Sequence, residues 1–198
     1  MTDRSIPFYN VILRCDSYTV KDIVLPDGFS IVPYRDGYEK GWAKLEHAIL
    51  DFDSEQEAER YFVSTYLADL ERRSGILFLL DPEGEIAGTC TAWKDPRGDS
   101  LVSSLHWLAV EEKYQGRGLG RALCLAVMNV FAEQNGMPVY IHTQPWSWKA
   151  ILLYLSVGFR LRKTDTFSGY ENQYEPAMET LQKVVNKDQF RIMTKLSQ

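Results

Sequence analysis

The run Gln115-Gly116-Arg117-Gly118-Leu119-Gly120-Arg121 constrains this chain more than any other segment. It lies between a strand-like stretch, Leu105 to Val110, and an amphipathic helix predicted to begin near Gly118. The first amides of a helix have no intrahelical acceptor, and the helix dipole makes that end electropositive, so a glycine turn opening a helix is a place for phosphate. Glycines at 118 and 120 remove Cβ atoms and let a pyrophosphate approach the main chain. Arg117 and Arg121 add positive charge with several donors each.

The rest of the chain sets the frame for that turn. Its 198 residues, 45% hydrophobic and 25% charged, fit one globular domain with a full core. A formal net charge of −5 and a sequence pI near 5.3 argue against a nucleic-acid partner. No stretch is long and apolar enough to span a membrane, and the first residues lack the apolar segment of a signal peptide. Cys15, Cys90 and Cys124 are far apart with no CxxC, which indicates neither a disulfide framework nor a zinc site; a reducing cytoplasm is expected.

Hydrophobic spacing predicts the elements. Pro7 to Arg14 reads as an edge strand, and Phe29 to Tyr34 as a strand after Asp27-Gly28. Tyr38, Trp42, Leu45, Ala48 and Ile49 recur at helical spacing. Ser54-Glu55-Gln56-Glu57 reads as a capping box opening a helix to about Arg73. Ile76 to Leu80 and Ile86 to Trp93 form a hairpin across Asp81-Pro82-Glu83-Gly84-Glu85, and a second turn, Lys94 to Asp99, leads into Leu101 to Val110. Leu119 to Phe131 keeps a clean 3.6 period, ended by Gly136 and Pro138. Val139 to Thr143 is a strand, Trp148 to Val157 a helix closed by Gly158, and Phe159 to Thr164 a strand. Pro176 can open a helix, Asn186-Lys187-Asp188 can break it, and the last piece fits strand or helix. The order describes a mixed α/β layer with an antiparallel centre, not a doubly wound series.

The glycines here are spaced Gln-x-x-Gly-x-Gly, from Gln115 through Gly118 to Gly120, without the GxGxxG order of a dinucleotide fold or a P-loop Lys-Ser/Thr pair. The pattern resembles the acetyl-CoA-binding loop of the GNAT superfamily of N-acetyltransferases. Leu153-Tyr154-Leu155-Ser156-Val157-Gly158-Phe159 is similar to that family's downstream motif, a helix bearing a Tyr and ending in Gly-Phe. The resemblance covers roughly Ile76 to Arg160. It implies an α/β (α+β) GNAT fold: a central mixed, mostly antiparallel sheet, two splayed parallel strands at the cofactor cleft and helices on both faces. It further implies a single domain over 1–198, with an N-terminal strand extension to about 27 and a C-terminal extension from about 165.

By the same resemblance, the backbone of Leu108, Ala109 and Val110 pairs with the pantetheine arm of acetyl-CoA, and the amide near Leu108 donates to the thioester carbonyl. The pyrophosphate rests on Gln115, Gly116, Arg117, Gly118, Leu119, Gly120 and Arg121. Tyr154 matches the family's general acid, which protonates the departing thiolate; its other reading is a packed helix aromatic. Many relatives carry a Glu as base on the strand before the loop. Here that position is Ser104, and His106, two residues on and on the same strand face, is similar to the strand histidines of arylalkylamine N-acetyltransferases, which relay a proton through water. An imidazole accepts protons near neutral pH; the other reading of His106 is a packed or bonded strand residue. Ser147 stands where many relatives carry an Asn that bonds the pantetheine arm, and it also reads as a cap for the helix at Trp148.

Trp146 and Trp148 could line an acceptor pocket but read first as core. His47, His142 and Cys124 read as structural, and the charges at Glu55, Glu57, Glu59, Arg60, Glu71, Arg72 and Arg73 as a solvated face. By the same resemblance the two early helices and their connection form an acceptor wall, where Asp51, Asp53 and Glu55 could attract a cationic amine. The expectation is therefore an acetyl-CoA-dependent transferase acting on a primary amine, small-molecule or peptide, with no metal, no nucleic acid and no membrane. The C-terminal segment could cover the site or mediate a homodimer. The alternative is a GNAT module that holds acyl-CoA without turnover.

Overall fold

In this computed structural model, which describes residues 3, 5–49, 51–67 and 74–198, the polar turns do much of the placing. Asp81 accepts from the amides of Glu83 and Glu85 at 3.0 and 2.9 Å, folding β3 (Ile76–Leu80) back onto β4 (Ile86–Arg97) in antiparallel register, Leu77 opposite Cys90. β4 in turn runs on through Lys94 to Arg97, so the second turn shrinks to Gly98 and Asp99 before β5 (Ser100–Val110). The sequence placed Lys94 to Arg97 in the turn because Asp-Pro is a turn signal; Asp95 is in fact a buried strand residue. The seven strands hydrogen-bond in the order β2-β3-β4-β5-β6-β1-β7 with mixed pairing.

The chain forms two compact units. The first comprises Val20–Trp93 and Leu105–Val130. It holds β2 (Ser30–Pro33), β3, the first part of β4 and the last part of β5, with three helices: α1 (Tyr38–Ala48), α2 (Glu55–Phe62) and most of α3 (Leu119–Glu133). Ser54 caps α2 by accepting from the Glu57 amide at 3.2 Å, and a π-helical turn, Val63–Leu67, continues it; the predicted stretch from Leu70 to Arg73 lies outside the described residues. Gly41 sets how closely α1 approaches β4, because a Cβ there would lie 2.4 Å from Ile86 Cδ1. Trp42, Phe62, Tyr66, Ile76 and Phe78 fill the core beneath it.

The second unit comprises Thr2–Thr19, Lys94–Ser104 and Phe131–Gln198. Here β1 (Val11–Cys15) is not the edge strand its weak alternation suggested. It pairs antiparallel with β6 (Val139–Thr143) on one side and with β7 (Arg160–Leu161) on the other, and its residues are almost all buried. β5 pairs with β6 in parallel at Ser103↔Val139 and Ser104↔Tyr140. α4 (Trp148–Val157) ends at Gly158, whose φ is 130°. The residue that turns the chain after α3 is Asn135 (φ 54°), with the Gly136 amide bonding back to the Phe131 carbonyl at 2.8 Å. The final segment is helical: α5 (Tyr174–Val184) and α6 (Lys187–Lys195). Asn186, read from sequence as a breaker, caps α6 in a reciprocal box with Gln189. The terminal residues then return to β7, with the Gln198 amide on the Leu161 carbonyl at 2.9 Å. Phe159 to Thr164 thus yields only a two-residue strand.

Asp165 ties this unit together. Its carboxylate accepts from Arg14 at 2.6 Å, Arg97 at 2.8 Å and the Tyr140 hydroxyl at 3.1 Å. Burial pushes its pKa up, but Arg14, Tyr140 and Arg97 together outweigh burial and hold it below the ordinary carboxylate value. A depressed folded-state pKa gives stability that is present above the unfolded value of about 3.9 and is lost as pH falls through the folded one. Asp165→Asn should cost about 2–3 kcal/mol, or a Tm fall of roughly 4–12 °C at pH 7, because it removes the carboxylate charge shared by Arg14, Arg97 and Tyr140 and leaves Arg14 paired to the more exposed Asp16. It should also flatten the acid limb of stability below about pH 4. Thermal melts from pH 2 to 7 check both, and an unchanged acid limb would assign that sensitivity to other carboxylates.

Candidate active site

The glycine turn is built by local bonds. β5 ends at Val110, the Glu111 amide bonds the Ala87 carbonyl at 2.9 Å, and a short 3-10 turn, Glu112–Tyr114, follows. The Gln115 side-chain amide donates to the Val110 carbonyl at 2.9 Å, so Gln115 ties the loop to the end of β5. The Arg117 guanidinium lies 4.8 Å over the Phe29 ring and 5.9 Å from Tyr114, a cation–π seat that fixes its charge beside the loop. Gly116 and Gly118 take φ of 77° and 81°, with open space where a Cβ would project. Left-handed glycines let a turn bring its backbone amides close to an anion. α3 starts at Leu119, directly after Gly118, and a glycine in that position offers its amides no side-chain acceptor. Leu119 is buried in the core while Arg121 is exposed on the first turn. Main chain thus dominates this loop, and the residues present fit a pyrophosphate.

Along β5, Ala109 is buried and Leu108 and Val110 are half-buried. Trp107, just before them, has φ 52° inside a strand, a conformation rare for a bulky residue. His106 is half-buried with its ring 5.6 Å from that of Trp93. The other end of β5 belongs to the second unit. There the Ser104 hydroxyl donates to Asp95 at 2.6 Å and Ser168 donates to the other oxygen of the same carboxylate at 3.1 Å. A carboxylate therefore does adjoin the strand position that lacks a Glu, supplied by β4; its Asp-Pro context concealed it in the sequence.

Also in the second unit, Tyr154 is buried in α4 with its ring 6.0 Å from Phe159, and its carbonyl accepts from both the Gly158 and Phe159 amides. Ser147 stands at the N-cap position of α4, but its hydroxyl takes part in no capping bond and instead accepts from the Gln144 side-chain amide at 2.8 Å. The expected cap is therefore corrected: the preceding 3-10 turn, Pro145–Ser147, puts Ser147 at φ −89° and ψ 26°, away from the extended geometry a capping side chain needs. His142 bonds Asn10 at 2.8 Å and stacks on Tyr170, and His47 bonds the Phe52 carbonyl at 3.0 Å, structural placements for both. Trp146 packs on Phe8. Cys15, Cys90 and Cys124 are buried and outside any disulfide. Among the described residues no group of three His, Cys, Asp or Glu is placed to hold a metal, and no helix is long and apolar enough to cross a membrane.

The sequence reading passed over Glu46. It follows Trp42 by four residues, on the apolar face of α1, and is wholly buried. Neither carboxyl oxygen has a hydrogen-bond partner among the described residues. Burial pushes its pKa well above the carboxylate range, and nearby Asp51 adds to the shift. The available signal was a Glu in register with Tyr38, Trp42 and Leu45, a charged residue on a stripe that periodicity marks as buried.

The profile of the "Acetyltransferase (GNAT) family" matches residues 42–159, and the chain belongs to that family. Its relatives are acetyltransferases. A mycothiol acetyltransferase of Arthrobacter sp. (strain FB24) is 27% identical over 165 residues, 81% of this chain and 51% of the relative. A glucosamine 6-phosphate N-acetyltransferase of Trypanosoma brucei brucei is 30% identical over 100 residues, 48% of this chain and 66% of the relative. The chain spans about half the length of the mycothiol acetyltransferases it matches. Among solved structures, a GCN5-related N-acetyltransferase from Sphaerobacter thermophilus aligns at a TM-score of 0.61 and 17% identity, over 80% of this chain and 51% of that one. A chain of the NatC complex, solved with Gag peptide and CoA, aligns at 0.53 and 19% identity, over 65% and 82%. These likenesses place the fold among the GNAT acetyltransferases.

Glu46 also gives this site a pH signature. A carboxyl whose folded-state pKa is raised binds its proton more tightly folded than unfolded, so its contribution to stability falls as pH rises above the unfolded value of about 4.3. Among the described residues Asp51, Tyr66 and Cys90 are titratable groups coupled to it. Glu46→Gln should therefore leave the Tm unchanged near pH 4 and raise it at pH 8. Melts of both proteins across that range check it, and a lower Tm for the variant at pH 8 would mean that the carboxylate is a stabilising ion.

Proposed function

We propose that this protein transfers acetyl from acetyl-CoA to a primary amine by direct attack. The observation that carries the reading is the glycine turn: left-handed Gly116 and Gly118 open the fifteen-residue helix α3, directly beyond the strand that ends at Val110. In this reading the amides from Gln115 to Arg121 take the pyrophosphate, with Arg121 supplying charge. The backbone of Leu108, Ala109 and Val110 pairs with the pantetheine arm. The parallel pairing of β5 with β6 at Ser103 and Ser104 supports it, as does the left-handed Trp107 directly before Leu108.

The chemistry follows from those placements. A donor from the Leu108 amide stabilises the oxyanion formed as the amine nitrogen bonds the carbonyl carbon. His106, through water, takes the proton the nitrogen loses. As the carbon–sulfur bond breaks, Tyr154 gives its proton to the CoA thiolate. In the same reading Ser147, whose hydroxyl accepts from Gln144, is assigned to the pantetheine arm. The relatives named for mycothiol and glucosamine 6-phosphate favour a small-molecule acceptor.

Thermal unfolding with acetyl-CoA, CoA and NAD tests the cofactor assignment. A ligand at about 100 times its Kd stabilises by ~2.7 kcal/mol, a Tm rise of roughly 5–11 °C here. A rise with the CoA species and none with NAD is expected; no rise with saturating CoA species would refute the loop assignment. Tyr154→Phe should lower kcat by about 100-fold or more with acetyl-CoA affinity retained. His106→Ala should alter the low-pH limb of kcat/KM. Unchanged values would remove each residue from its role. Tight CoA binding without turnover on any amine would point instead to an acyl-CoA-binding module.

A further inference from the structure

Glu46 needs an explanation that neither the core nor the cofactor supplies. A carboxyl group withdrawn from water costs several kcal/mol as an ion and still costs free energy as an unbonded neutral acid. Natural cores avoid such groups, and those that remain call for a ligand or a role. Two more polar atoms in the same cluster share the condition: the indole nitrogens of Trp42 and Trp107 are buried with no hydrogen-bond partner among the described residues. Trp42 lies one helical turn before Glu46, and its ring is 5.5 Å from that of Trp107. Tyr61 lies parallel to Trp42 at 6.1 Å, and Phe52 lies against Trp42, Tyr61 and Trp107 at 5.4–5.8 Å. The Tyr66 ring is 6.1 Å from Trp42, and its hydroxyl is electrostatically coupled to Glu46. Phe52, Tyr61 and Trp107 are only half-buried, so the cluster reaches solvent on one side.

We propose that this cluster is the acceptor subsite, in which Glu46 is the anionic anchor for the ammonium group of a small primary amine and the aromatic rings form its cage. This rests on the acetyltransferase reading. An ammonium supplies the donors that the two carboxyl oxygens lack, and aromatic faces around it add cation–π attraction. The indole N–H groups of Trp42 and Trp107 call for an acceptor on the same ligand, a hydroxyl or carbonyl oxygen near the nitrogen. Trp107 directly precedes Leu108, so an amine held here adjoins the backbone assigned to the thioester. Asp51, coupled to Glu46 from beyond the end of α1, adds a second negative charge, which favours a cation further. Binding ionises Glu46: its proton leaves to solvent as the ammonium takes its place, so affinity rises with pH up to the point where the amine itself loses its charge.

Calorimetric titration of the full chain with phenethylamine and 2-aminoethanol tests this without any turnover, using 2-phenylethanol and ethylene glycol as matched neutral probes. The expected result is that at least one amine binds, that its alcohol binds at least 10-fold more weakly, and that Glu46→Gln weakens the amine at least 10-fold. Proton release, read from the dependence of the heat on buffer, should vanish in the variant. The acetyl-CoA-induced Tm rise should survive in Glu46→Gln, which separates this subsite from the cofactor assignment and shows that the variant is folded. Trp107→Phe, which keeps the ring and removes the N–H, should weaken 2-aminoethanol more than phenethylamine. Equal amine affinity in the wild type and Glu46→Gln, or no binding by either amine to a protein that binds acetyl-CoA, would overturn the proposal.

Discussion

The backbone amides at the start of α3 are the constraint around which the first unit is arranged. A helix beginning at Leu119 has leading N–H groups with no intrahelical acceptor, and Gly118 just before it has no side chain to offer one. The chain could have closed this end with a Ser or Asp, as Ser54 does for α2 and Asn186 for α6. It spends glycines instead, and fixes the flexible turn from outside. Gln115 is bonded to Val110, Arg117 is seated on Phe29, and Tyr114 donates to Asp81 at 2.7 Å, the residue that also closes the β3–β4 hairpin. The open helix end is thereby held rigidly against the sheet, which is what an anion site requires and a simple core does not.

Where local chemistry dominates, the sequence is readable. The hairpin at Asp81, α3 with its apolar stripe, the exact span of β6 and the helix closed by Gly158 all follow from periodicity and turn residues. Where long-range pairing dominates, it is not. β1 alternates weakly because successive residues, which point to opposite faces of the sheet, are nearly all buried, so it has no solvent face to mark. Lys94 to Arg97 carries turn residues yet stays in the strand, held by partners from distant sequence: the Pro96 carbonyl accepts from the Ser168 amide at 2.7 Å, and Arg97 bonds the Thr166 carbonyl and Asp165.

The candidate site divides the same way. The glycine loop and the Tyr154 helix were legible because they are contiguous motifs. The Ser147 cap was misread because a 3-10 turn, invisible to spacing, changes the backbone at that residue. Asp95 was concealed by a proline, and Glu46 by the ordinary assumption that a glutamate on a surface-length helix faces water. Its position in the 38-42-45 stripe contradicted that assumption, and the contradiction is itself informative: a sequence rarely places an ionisable group on a buried stripe without a use for it.

Trp107 belongs both to β5 and to the aromatic cluster near Glu46. A bulky residue at φ 52° costs on the order of 1–3 kcal/mol. The same conformation lets its ring pack against Trp42, Phe52 and Tyr61, and aromatic pairs of this kind contribute ~0.5–1.5 kcal/mol each beyond the area they bury. The gain offsets the cost only while those rings are in place. The aromatic cluster of Trp42, Phe52 and Tyr61 therefore supports the left-handed conformation of Trp107, the residue directly before Leu108. Among the described residues, Trp107 is thus the one that belongs both to the rings packed around Trp42 and to β5, the strand whose backbone we assign to the cofactor.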